Sequence, residues 1–394
     1  MGQQFDDAVS MRELCRAIKE CRRGVGHKDG PVDWYAHRLM KAQGLRNDIL
    51  SGRYKLRKGS VVKIYRPKYR EAVAPWFRDR VWQRSMCNNG VYDDLTHGFL
   101  YDNMACQVGK GTDLAIRRTI KMLQRIYRTT GNNDGWGDHM DVRRYFPSTP
   151  HQEIKALDQR RISEPLYIPY LEELIDSVED TRPEEEILLD PFGARGTGLG
   201  SQINQLHQVA LLDGMDHELK CFCENYQRYN DDILVMDQDR QICARAKEIV
   251  TMRLQEKGLT TVDKSGIFRL KDGFWYLRHK FILTDTGKVI LLLHPSVFKT
   301  ERHALQGMKR SLDRGEITME QVRTHYQCFI AQATYSSGDG AIRAMDKFYT
   351  ELFREKPMYK KKRRYLFGTD QKHKAAAPGG AAQKYGADSA AGTD

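Results

Sequence analysis

The chain has 394 residues, of which 40% are hydrophobic and 29% charged. That length allows two or three domains or one large multi-lobed fold with a sizeable core, and the composition excludes a disordered or membrane-embedded chain. Sixty-four Lys and Arg against 52 Asp and Glu leave a net charge of +12, which fits a polyanionic partner, nucleic acid first.

The longest apolar run, residues 289–293, is strand-sized, so no membrane span and no membrane partner is expected. The first residues lack the basic and apolar stretches of a secretion signal, which predicts a cytoplasmic protein. Eight scattered cysteines without a CxxC pair predict reduced thiols, not disulfides or zinc ligands.

Residues 1–60 read as helices broken at Gly24, Gly26, Gly30 and Pro31. Residues 61–65 read as a strand, 66–71 as a charged turn, and 72–74 as the returning strand. Leu114, Ile116, Ile120, Leu123 and Ile126 recur at helical spacing. Residues 131–137 form a turn-rich linker. From Asp141 a strand runs into a helix start, with Thr149 as N-cap, Pro150 at the first helical position and Gln152 completing a capping box.

A glycine-rich loop at 193–200 precedes a buried helix. Residues 226–236 are apolar on both sides of Asn230-Asp231-Asp232, which reads as a hairpin with acids at its tip. Ile242, Ala246, Ile249, Val250 and Leu254 line one face of a helix ended by Gly258. Residues 274–277, 281–283 and 289–292 read as strands, with a turn at Asp285-Thr-Gly287. Residues 300–355 are helical in pattern, broken at Gly315 and by a loop at 336–340. Beyond the basic run Lys360-Lys-Lys-Arg-Arg364, composition predicts a disordered tail.

Asp141, Asp231 and Asp232 carry the chemistry. Adjacent carboxylates in apolar surroundings repel each other and are poorly solvated. A divalent cation relieves that cost, and hard oxygen ligands from two segments suit Mg²⁺, with Mn²⁺ as a substitute. Two such ions about 4 Å apart can activate a 3′-hydroxyl and stabilise leaving pyrophosphate. Taken alone, Asn230-Asp231-Asp232 reads as an exposed turn rather than a metal site, since these are turn residues.

Six blocks, in order, resemble the reverse transcriptase family. Tyr229-Asn-Asp-Asp232 has its YxDD form. Asp141-Val-Arg-Arg-Tyr-Phe-Pro-Ser148, ending in Phe-Pro-Ser, resembles its first catalytic segment and stands 90 residues earlier, measured from Asp141 to Asp231. Arg66-Pro-Lys-Tyr-Arg70 with Phe77-Arg-Asp-Arg-Val-Trp-Gln83, and then Tyr101-Asp-Asn-Met-Ala-Cys-Gln-Val-Gly-Lys-Gly-Thr112, are similar to its fingers blocks. Leu199-Gly-Ser-Gln-Ile-Asn-Gln205 is similar to its glycine loop. Lys264-Ser-Gly-Ile-Phe268 and Phe274-Trp-Tyr-Leu-Arg278 are similar to its palm-bracing segments.

The resemblance implies an α+β right-hand polymerase fold: fingers at 1–135, a palm with an antiparallel sheet at 136–295, a helical thumb at 296–365, and a tail at 366–394. It implies RNA-directed DNA synthesis by two-metal nucleotidyl transfer. Asp141, Asp231 and Asp232 would be catalytic and metal-binding, assisted by the Val142 carbonyl. Lys63, Arg70, Phe146, Leu199 and Gly200 would bind the deoxynucleoside triphosphate, with Phe146 blocking a ribose 2′-hydroxyl. Gln205, Tyr229, Lys264 and Leu277 would bind template and primer. The implied partners are template RNA, primer or cDNA, deoxynucleoside triphosphates and a small accessory protein.

Departures occur at Gly198, where the family carries Pro, at Asn204, where it carries Ser, and at Arg278, where it carries Gly. Leu199 and Gln205 match the loop of diversity-generating retroelement enzymes, a pattern that phage-defence reverse transcriptases share. A third reading is a catalytically silent RNA-binding scaffold of the same fold.

Overall fold

The computed structural model describes residues 2–64, 70–263, 266–336 and 339–359, in two compact units, the first ending at His294 and the second beginning at Pro295. The predicted disordered tail and the basic run at 360–364 lie outside the described residues.

The first unit opens with helices α1 (Gln3–Ala8), α2 (Met11–Cys21), α3 (Asp29–Ala36) and α4 (Arg38–Leu50). Ser10 caps α2 by accepting from the Glu13 N–H, and Leu14, Ala17, Ile18 and Cys21 turn one stripe inward. Gly30 and Pro31 do not break the chain as expected. They lie in the first turn of α3, where a proline's missing N–H costs no helical bond.

Strands β1 (Ser60–Ile64) and β2 (Arg70–Ala74) pair antiparallel, and the second strand begins earlier than the sequence pattern indicated. Next come α5 (Phe77–Met86), a kinked segment at 87–91, α6 (Tyr92–Thr96) and the amphipathic α7 (Thr112–Thr130). One core gathers Leu14, Ile18, Leu45 and Trp82. The rings of Phe5, Tyr167 and Tyr170 surround Trp82 at 6.0, 6.3 and 5.4 Å, mostly edge-on.

Around the central sheet run β3 (Trp136–Val142), α8 (Tyr145–Ser148), α9 (His151–Arg161), α10 (Ile168–Asp176), α11 (Glu184–Leu189), α12 (Gln202–Leu211), α13 (Asp213–Phe222), β4 (Asn225–Tyr229), β5 (Asp232–Asp237), α14 (Arg240–Glu256), β6 (Thr261–Asp263) and β7 (Phe268–Arg269). The strand order is β4-β5-β3-β6, with β7 also on β3, and these strands pair antiparallel with one another. Met140, Val142, Ile233 and Val235 pack against Cys243, Ala246, Val250 and Leu254 of α14 and Met215 and Leu219 of α13. The strand period of two and the helix period of 3.6 thus meet at one apolar layer. A three-stranded sheet of β8 (Phe274–Tyr276), β9 (His279–Leu283) and β10 (Val289–Leu293) completes the unit.

The capping box does not form. Helix α9 begins at His151 after Pro150, without a side-chain cap. Thr149 instead donates to the Tyr145 carbonyl at 2.8 Å and to Gln208 Oε1 at 3.0 Å. A buried tertiary acceptor outcompetes the local cap.

The second unit contains α15 (Pro295–Asp313), α16 (Met319–Ser336) and α17 (Asp339–Phe353). Leu305, Val322, Ile342 and Met345 are buried, and Tyr326 stacks on Tyr349 at 4.4 Å. The hydroxyls of Tyr326 and Tyr359 both donate to Asp346. All eight cysteines are free thiols. Among the described residues no helix is long and apolar enough to cross a membrane.

Candidate active site at one end of the central sheet

Register decides where the acids go. Asp141 pairs directly across from Asp232 on β3 and β5. Asn230 and Asp231 form the two-residue connection between β4 and β5, so Asp232 opens a strand and does not sit on the tip. Asn230 adopts φ +58, a left-handed conformation that asparagine tolerates well. The Val142 N–H donates to the Asp231 carbonyl at 3.3 Å. Three acids from segments far apart in sequence therefore share one end of one sheet, all half-buried.

His139 lies on the same strand face as Asp141, two residues back. Its Nε2 is 3.0 Å from Asp232 Oδ1, and its ring meets the edge of Tyr276 at 5.3 Å. The sequence reading missed His139, although the period of two placed it beside Asp141.

The three carboxylates are hard oxygen donors, the kind a divalent cation such as Mg²⁺ takes. Among the described residues, however, no three His, Cys, Asp or Glu side chains stand close enough together to hold a metal ion. The backbone gathers the carboxylates, while Asp232 is engaged by His139.

The glycine loop is tied to the first acidic segment. Thr197 donates from its N–H to the Phe146 carbonyl at 2.9 Å, and Gly196 donates to the Thr149 carbonyl at 2.9 Å. Gln208 ties the two further: its side chain donates to Thr197 Oγ1 and its carbonyl accepts from the Tyr145 hydroxyl. Phe146 is half-buried on α8 within this lattice. At the loop's base, Arg182 and Arg195 clamp Asp180 and Asp190. Burial alone would raise the Asp180 carboxyl, but bonds from Arg182 and Arg195 bring it down to about 2. Arg195 likewise holds Asp190 well below the ordinary carboxylate range.

Leu199 and Gly200 lead into α12, whose Ser201 accepts from the Asn204 N–H. Gln205 donates to the Leu199 carbonyl at 3.3 Å, and Asn204 to that of Gly198 at 3.2 Å. A Cβ on Gly200 would stand 2.0 Å from the Val73 carbonyl oxygen, so the loop rests directly on β2. Lys63 is exposed on β1 opposite Glu71. Arg70 opens β2, but its side chain lies outside the described residues, as does Lys264 altogether. Tyr229 ends β4 half-buried, its hydroxyl accepting from Thr112 at 3.3 Å.

Leu277 and Arg278 form the two-residue turn between β8 and β9, with φ +47 and +65. This is the left-handed pair of a type I′ turn, which asparagine and glycine fill best. Each ordinary residue there costs about 1–2 kcal/mol. Arg278→Gly is expected to stabilise the chain by about 1 kcal/mol in urea unfolding; no gain would contradict the assigned turn.

No protein-family profile matches the sequence, and no curated protein does. Solved structures do match. The telomerase from Candida albicans with a TWJ fragment of telomeric RNA is 11% identical over 83% of this chain and 60% of that chain, with a TM-score of 0.44. Apo telomerase from Candida tropicalis is 10% identical over 75% of this chain and 58% of that chain, with a TM-score of 0.45. The same apo enzyme truncated from its C-terminal domain gives 10% identity over 64% of this chain and 60% of that chain, with a TM-score of 0.42. The chain thus spans about three fifths of the length of those chains.

Proposed function

We propose that this chain is an RNA-directed DNA polymerase that works by nucleotidyl transfer at the Asp141, Asp231 and Asp232 corner. The observation that carries the reading is the register of β3 and β5, which sets Asp141 opposite Asp232 with Asp231 on the adjoining turn. Two Mg²⁺ ions held by these acids would supply charge stabilisation and an activated 3′-hydroxyl. The chain's own residues hold the scaffold. Thr197 and Gln208 lock the segment bearing Phe146 to the glycine loop, and β2 supports that loop from beneath Gly200.

A positive wall is available for a phosphate backbone. Arg23, Arg80 and Arg84, with Gln83, Gln202 and a single acid, Glu20, line a cleft of about 440 Å³ that reaches Gly200. Net charge of +12 supports the same partner class. Template RNA, a primer and deoxynucleoside triphosphates are therefore the proposed ligands. Within this reading, Leu199 and Gln205 favour a diversity-generating retroelement enzyme with an accessory protein, the phage-defence type being its nearest rival. The engagement of Asp232 by His139 favours a second reading, a silent RNA-binding scaffold.

Purified full chain, an RNA template, a DNA primer and Mg²⁺ test the proposal. Extension with deoxynucleotides is expected. Phe146→Ala is expected to raise ribonucleotide use relative to deoxynucleotide use by about tenfold or more, since a pocket that excludes one hydroxyl discriminates by factors of that order. Unchanged sugar discrimination would remove Phe146 from the gate.

A further inference from the structure

Arg228 stands on β4 immediately before Tyr229 and is wholly buried, a charged side chain inside an apolar unit. Its Nε and Nη2 grip the two oxygens of Asp216, each at 2.6 Å. Nη2 also donates to the Val209 carbonyl at 2.8 Å. The remaining nitrogen, Nη1, donates to the Asn230 carbonyl at 3.0 Å. Asp216, on α13, is itself held by the Tyr226 hydroxyl and by Asn103 Nδ2. The Arg228 backbone is fixed too, between the Asp102 carbonyl and the Met104 N–H.

The Asn230 carbonyl belongs to the peptide that enters Asp231. The peptide that leaves Asp231 is held by the Val142 N–H at 3.3 Å. Both planar units flanking Asp231 are thus anchored, one by Arg228 and one by β3, and this fixes where its Cβ points. A buried ion pair is a poor way to gain stability, because apolar side chains of similar volume often do as well or better. An apolar side chain, however, offers no donor to the Asn230 carbonyl. A guanidinium offers five donors in a rigid fork, enough to join α13 to the turn.

We infer that Arg228 is a positioning residue, which orients Asp231 for its chemistry through the carbonyl of Asn230. The role in turnover rests on the polymerase reading; the orientation of Asp231 does not.

The test compares the full chain with Arg228→Lys. Lysine keeps a charge for Asp216 but cannot bridge to Asn230. Amide hydrogen exchange at Val142, whose N–H holds the Asp231 carbonyl, is expected to accelerate about tenfold, while Met140 and Leu234 in the β3–β5 ladder stay unchanged. In primer extension, kcat is expected to fall about 10²-fold, as for a small misplacement of a reacting group, with KM for the nucleotide within about twofold. Should the lysine variant fail to fold, the apolar pair R228M/D216L removes both charges together and is expected to loosen the same turn. Unchanged exchange at Val142 in the folded variant overturns the inference. So does a loosened turn with unchanged kcat in an active enzyme. If the turn loosens but the wild-type chain extends no primer, the anchoring stands and the polymerase reading fails.

Discussion

Asp231→Asn is expected to leave a folded chain that no longer extends a primer. Asparagine matches aspartate in shape, so the turn and its anchors at Arg228 and Val142 are kept. What is lost is one negative charge next to Asp232 and opposite the end of β3. Metal-assisted phosphoryl chemistry draws several kcal/mol of transition-state stabilisation from such ligands. At about 1.4 kcal/mol per factor of ten, that is a loss of about 10³-fold or more. Stability moves the other way. Two adjacent carboxylates repel each other, so removing one leaves the thermal midpoint unchanged or raised. Extension within tenfold of wild type would remove Asp231 from the proposed catalytic acids. A collapsed midpoint would show that the residue is needed for folding.

The second large effect concerns stability. Asp216→Ala is expected to destabilise the first unit by about 3–5 kcal/mol in urea unfolding, because it strands the Arg228 charge in a buried site. The Tyr226 hydroxyl and Asn103 amide lose their acceptor in the same step. In the native chain burial lowers the Arg228 guanidinium pKa and the touching Asp216 carboxylate more than offsets it; the variant keeps the burial and loses the carboxylate, and a guanidinium does not shed its charge inside a protein. Against a typical total of about 5–15 kcal/mol, this is a large fraction. Removing both charges, as in R228M/D216L, is expected to cost less than Asp216→Ala alone. A loss below about 1 kcal/mol would mean that the pair behaves like an exposed one.

Local patterns were readable where local forces decide. The period of 3.6 in α7 and α14, the hairpin around Asn230-Asp231, and the turn at Gly287 with φ +76 all follow from spacing or from a residue's backbone preference. The three acids were legible because they stand in two compact motifs, one around Asp141 and one at Tyr229-Asn-Asp-Asp232. Tertiary competition was not legible. Thr149 has the right neighbours for a cap, yet Gln208, 59 residues on, takes its hydroxyl. Pro31 reads as a breaker but occupies the one turn of α3 where it costs no bond. Arg228 reads as one more basic residue in a chain of +12, and only the fold shows that it is wholly buried against Asp216. His139 was within reach, since strand alternation sets it beside Asp141, but its contact with Asp232, 93 residues on, depends on how two strands pair. Lys63 shows the converse: the structure leaves it exposed on β1, and its assignment still rests on spacing from Arg70 alone.

Single-nucleotide extension of a DNA primer on an RNA template, by purified full chain in Mg²⁺, tests the central claim most directly. The corner formed by Asp141, Asp231 and Asp232 predicts templated addition of the complementary deoxynucleotide, abolished by chelation and by Asp231→Asn. Tight binding of the template–primer with no addition in Mg²⁺ or Mn²⁺ would contradict it and leave an RNA-binding scaffold in its place.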